Sequence, residues 1–143
     1  MKTITAANSI YWLSVGGIFP VAQRIEGYAA DAAFAFDPVN LTENVMGVDG
    51  IMSAGYVPAM TIQTISIMPD SPSLSLFEIW QGAMKTSREI FYANATIVIP
   101  SIQRKYVLTK GTLSTATPGP GVKKVLQAME FKITWQSVDQ ALV

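Results

Sequence analysis

The chain has 143 residues, half of them apolar, with ten basic and ten acidic side chains, no histidine and no cysteine. That length suits one domain with a real core. The composition excludes cysteine nucleophiles, Ser-His-Asp triads, disulfides and ordinary zinc sites, and its neutrality argues against nonspecific nucleic-acid binding.

Only 14% of residues are charged, where soluble domains carry roughly 25%. Much of the surface is therefore expected to face other protein. Thr3, Thr5, Asn8 and Ser9 interrupt any signal-peptide core after Lys2, and no stretch approaches the ~20 apolar residues of a membrane span. The chain is expected to act without export and without membrane insertion.

In chain order, residues 1–17 carry little charge and read as a first strand or as an arm docking on a neighbour. Residues 18–57 read as short strands, with a turn or strand end at Glu26-Gly27-Tyr28. Ala33-Phe34-Ala35-Phe36 is a strand candidate closed by Asp37-Pro38. The runs 42–46 and 51–57 flank Gly47-Val48-Asp49-Gly50, a pattern for a hairpin or structured loop. Residues 58–68 form the first strong strand. Met60, Ile62, Thr64, Ser66 and Met68 lie on one face, and Thr61, Gln63, Ile65 and Ile67 on the other.

The period then changes. Asp70-Ser71-Pro72 offers a cap and a first-turn proline. Leu76, Ile79, Trp80, Ala83 and Met84 follow at helical spacing, predicting the only long helix over residues 72–86. Strands return over 91–100 and 103–115, separated by the loop Thr117-Pro118-Gly119-Pro120-Gly121 from a last strand at 125–137. There Met129, Phe131, Ile133 and Trp135 alternate with Glu130, Lys132, Thr134 and Gln136. This order predicts a mainly β chain: a small barrel or sandwich with one flanking helix, in one domain.

No catalytic constellation emerges. The loop from Thr117 to Lys124 lacks the Gly-Lys-Ser/Thr and helix start of a phosphate loop. Asp31, Asp37, Glu43 and Asp49 are scattered, and no spacing pairs them. The aromatic rings sit at core spacing and do not interleave with basic residues as in single-strand binders. No catalytic residue, cofactor or metal is expected.

One charge pattern survives. Residues 1–78 hold two basic residues against seven acidic ones, whereas residues 79–143 hold eight basic against three acidic. A subunit with one acidic and one basic face favours head-to-tail contacts, which build rings or stacks.

Several stretches in this order resemble the tail tube proteins of bacteriophages, in particular a small family from contractile-tailed phages. They are Ile25-Glu26-Gly27-Tyr28, the strand from Ala33 to Asp37, and Val45-Met46-Gly47-Val48-Asp49-Gly50. The strand from Met60 to Met68, Ser73-Leu74-Ser75-Leu76 with its helix, and the span from Gly121 to Trp135 complete the match. The Pro- and Gly-rich loop from Thr115 to Gly121 departs from the family pattern.

The resemblance implies a virion tail component, assembled in the host cytoplasm. Six copies would form a ring, and stacked rings a conduit for DNA ejection. The implied partners are the chain itself, the sheath, the baseplate and the tail terminator, with DNA only as passing cargo. A lumen that lets DNA slide should carry few unpaired basic groups. Its expected lining is Thr61 and Gln63 on one strand and Glu130, Lys132, Thr134 and Gln136 on another. Expected contacts between subunits are Tyr11, Trp12, Met46, Val48, Asp49, Ile51 and Tyr56. The alternative is a ring-forming terminator or a subunit of a bacterial contractile injection or secretion system. A small-ligand barrel or carboxylate hydrolase would instead need a closed apolar pocket in a monomer.

Overall fold

The spine of the molecule is a long antiparallel ribbon, β8 (Arg104–Ala116) with β9 (Met129–Leu142). In β9 the side chains alternate between buried and outward from Met129 to Gln136, as its period-two sequence requires. The computed structural model describes residues 9–25 and 34–142. Residues 1–8, the Glu26-Gly27-Tyr28 turn and Asp31 lie outside the described residues.

Other strands attach to the two halves of this ribbon. β7 (Ala93–Ile99) pairs with β8 from Gly111 down to Arg104, and β1 (Ile10–Val15) and β2 (Phe19–Arg24) extend that side. β6 (Thr61–Ile67) pairs with the first half of β9, from Thr61↔Trp135 to Ile67↔Met129, and β3 (Phe34–Phe36) lies outside it. The antiparallel order is β2-β1-β7-β8-β9-β6-β3.

The sheet curls until its ends meet. Tyr11 on β1 sits edge-on to Phe34 on β3, with ring centroids 5.6 Å apart. No backbone pairing joins β2 to β3 among the described residues, so of the expected barrel or sandwich the architecture is the sandwich-like one. The edges explain this. Pro20 removes a ladder donor from β2, and Asp37-Pro38 follows the end of β3 at Phe36.

Helix α1 (Leu74–Ser87) caps the curl. Ser71 prepares its start, its Oγ accepting from the Ser73 N–H at 3.1 Å. Arg88 ends it in the left-handed conformation, its N–H bonded to the Met84 carbonyl. Leu76, Phe77 and Trp80 are buried, whereas Ile79 is 50% exposed. Phe77 thus takes the inward place expected for Ile79 and stacks on Phe131 at 4.7 Å.

Of the two readings for residues 1–17, Ile10–Val15 form a first strand. Tyr11, Leu13 and Val15 are fully buried in the same cluster as Ile65, Ile97, Leu108, Phe131 and Trp135. Below this cluster the ribbon is irregular around Gly111. A Cβ on Gly111 would lie 2.5 Å from the Trp135 ring, so only glycine admits the indole. Between Leu108 and Gly111 two residues of β8, Thr109 and Lys110, face the single Asn94 of β7, a bulge in which Lys110 takes positive φ (51°). Asn94 Oδ1 accepts the Lys110 N–H at 3.2 Å, and the ammonium lies over the Tyr92 ring at 5.0 Å.

Candidate functional site

Hairpin β4 (Thr42–Met46) with β5 (Met52–Tyr56) stands apart from this body as its own two-stranded sheet. The Gly47-Val48-Asp49-Gly50 cluster turns the chain as its composition predicts. Gly50 takes positive φ, its N–H bonds to the Gly47 carbonyl, and Asp49 Oδ1 accepts from the Ile51 N–H at 3.1 Å. The stems flank a groove of about 380 Å³ whose far wall includes residues 136–140 of β9.

Every residue of both hairpin strands is exposed. The register places Met46 opposite Met52 and Thr42 opposite Tyr56, so Met46, Met52, Ala54 and Tyr56 share one face. Tip residue Val48 has no shielding at all, and Ile51 is 66% exposed. Contiguous exposed apolar surface of this kind marks a contact site. Met46, Val48, Asp49, Ile51 and Tyr56, expected as contacts between subunits, are thus brought together on one projection.

The other two expected contacts separate. Trp12 points outward from β1 and is 41% exposed, whereas Tyr11 is fully buried. Tyr11 is therefore corrected to a core residue. Its hydroxyl donates to Gln63 Oε1 at 2.8 Å, and that same oxygen accepts from Trp135 Nε1 at 3.0 Å. Gln63 is also fully buried, so it cannot line a lumen, and this expectation is corrected as well. Its place is set by two donors, on β1 and β9, that need one acceptor. Its Nε2 has no hydrogen-bond partner among the described residues, a cost of roughly 1–3 kcal/mol. Thr61 shares the inward side with Gln63 and is half-buried.

On the β9 ribbon, Glu130, Lys132 and Gln136 are exposed and Thr134 is half-buried, all on the outward face. Register sets Ser66 beside Glu130, Thr64 beside Lys132, and Thr112 beside Thr134. On β6 this side carries the exposed Ile62, paired with Thr134, the half-buried Thr64 and the buried Ser66. Of the two β6 residues expected in the lining, Gln63 is buried and Thr61 is half-buried.

A second outward face lies on the other half of the sheet. Arg24, Trp12, Thr96 and Val107 are register partners in one row, and Ile10, Val98 and Lys105 form the next. Val107 is 37% exposed, and a depression of about 150 Å³ lies beside Trp12, between Ala22, Thr96 and Val107. Spacing could not show this face, because its strands are distant in sequence.

Among the described residues, no group of three or more His, Cys, Asp or Glu could hold a metal ion, and no helix is long and apolar enough to cross a membrane.

Residues 2–139 match the family model described as tail fiber protein gp32. No curated protein matches the chain. Among solved structures, a chain of the anti-feeding prophage baseplate, six-fold symmetrised, is 12% identical with a TM-score of 0.62, covering 100% of this chain and 99% of that one. A chain of the anti-feeding prophage tube-terminating cap is 10% identical with a TM-score of 0.64, over 100% and 93% of the two chains. One from the extended sheath–tube complex of the PVC extracellular contractile injection system is 13% identical with a TM-score of 0.60, over 93% and 88%. At such identities the likeness is one of fold. With a family match over nearly its whole length, the chain belongs to the tail fiber protein gp32 family of phage tail proteins.

Proposed function

We propose that this protein is a structural, non-enzymatic subunit of a phage tail tube, whose copies form stacked hexameric rings around a conduit for DNA ejection. The observation that carries the reading is the β4–β5 hairpin, ten paired residues all exposed, on a body with the fold of chains from a sheath–tube complex. An isolated two-stranded hairpin is marginal in water. Its apolar face gains stability only when other protein covers it.

In this reading the outward face of β9 and β6 lines the lumen. Lys132 lies two positions from Glu130 on the same face, beside Thr64, and Thr134, Gln136 and Ile62 continue that face. Six-fold repetition multiplies every lumen charge, and duplex DNA carries one phosphate per ~1.7 Å. A nearly neutral polar face lets that charge pass without binding it. The remaining surface meets its own copies, the sheath, the baseplate and the terminator, in a virion tail assembled in the host cytoplasm.

The fold shared with a tube-terminating cap and with a baseplate supports a second reading, a subunit that stops at one ring. Electron microscopy of the purified protein separates the two. A tube subunit gives hollow filaments of indefinite length, and a terminator gives single rings. Solid filaments without a lumen support a fibre instead.

A further inference from the structure

We infer that the β4–β5 hairpin of one copy docks on the Trp12 face of a second copy, the sheet surface where β1, β7 and β8 lie side by side. The inference deepens the tube reading and rests on it.

The two surfaces match in three ways. Both are apolar where protein surfaces are usually polar. The hairpin presents Met46, Met52 and Tyr56 at 65%, 58% and 78% exposure, and the sheet presents Trp12 and Val107. Their charges are opposite. No lysine or arginine occurs between Arg24 and Lys85, so the hairpin's charges are acidic: Asp49 stands in the tip next to Val48, and Glu43 lies on the face opposite Met46, Met52 and Tyr56. The sheet face sets Arg24 beside Trp12 and Lys105 one row below, with Asp139 at its far edge beside Val107. Complementary charge fixes the register of a contact and rejects wrong partners. The shapes also agree. The hairpin ends in Val48, its most exposed apolar side chain, and the face has beside Trp12 a depression of about 150 Å³, a size for one aliphatic side chain.

The surfaces are different patches of one molecule. Their contact is therefore heterologous, and each added copy leaves a free hairpin at one end and a free Trp12 face at the other. Two hairpins meeting each other would juxtapose acidic residues and close a dimer that cannot grow.

The chain contains no cysteine, so engineered thiols report this contact alone. Val48→Cys and Val107→Cys proteins are made separately, mixed under assembly conditions and oxidised. A disulfide needs Cα atoms within about 7 Å. The expected result is a heterodimeric crosslink in the mixture, at least ten-fold above either variant alone, and a ladder of multimers from the double variant. Self-linking of Val48→Cys alone as strong as in the mixture would show hairpins meeting hairpins and overturn the inference. So would polymers with no crosslink. The unsubstituted protein, imaged in parallel, judges the tube reading separately: tubes without the crosslink sink only the docking, and no polymer of any kind sinks both.

Discussion

Two antiparallel ribbons in this molecule obey the same backbone rules and meet opposite fates. The β8–β9 ribbon buries Met129, Phe131, Ile133 and Trp135 on its inner side, with a polar row outside. The β4–β5 ribbon also has an apolar face, yet buries none of it. Hydrophobic burial scales with area removed from water, at roughly 25 cal/mol per Å². The first ribbon collects that gain inside one subunit. The second can collect it only from another protein. The difference divides the chain into a part that folds itself and a part that waits for assembly.

The division predicts how each ribbon responds to substitution. Trp135→Ala removes the largest buried side chain of the ribbon and the donor to Gln63. It should lower the unfolding free energy by about 3–5 kcal/mol, read by urea denaturation. Gly111→Ala drives a methyl into the indole and should cost roughly 1–3 kcal/mol by overpacking. The joint variant Gly111→Ala with Trp135→Leu should recover part of that loss, and no recovery would break the assignment of clash to indole. Gln63→Leu strips an acceptor from two buried donors while removing one orphaned donor. A loss of about 1–3 kcal/mol is expected, and an unchanged midpoint would mean that the node does not tie the sheet ends together. At the small end stands Val48→Asp on the hairpin tip. Subunit stability should stay within about 0.5 kcal/mol, while polymer formation, followed by sedimentation, should fall sharply. A hairpin substitution that unfolds the subunit would erase the division.

The sequence made one ribbon more legible than the other surfaces. Long alternation fixed β9 and its buried row, because a period-two pattern over that many residues admits few other readings. The helix was legible from its start and its spacing, but Phe77 and Ile79 compete for one inward sector, and only the stacking on Phe131 decides between them. The Gly-Val-Asp-Gly turn announced the hairpin without saying that it projects. Gln63 was misread because a glutamine in a strand suggests water. The missed signal was that it shares a face with Ile65 and Ile67, and that a buried tryptophan and tyrosine each want an acceptor. The bulge at Lys110 left no trace in the pattern, because it depends on the register of β8 against β7. The Trp12 face needed the register of strands far apart in the chain.

The central claim is that the body folds alone and the hairpin assembles it. Negative-stain imaging of the purified protein beside a variant with residues 42–56 replaced by a short Gly-Ser linker tests it most directly. The account predicts hollow tubes from the intact chain, and from the variant a cooperatively folding subunit that forms none. Tubes from the hairpin-less variant, or an intact chain that stays monomeric at every concentration, would contradict it.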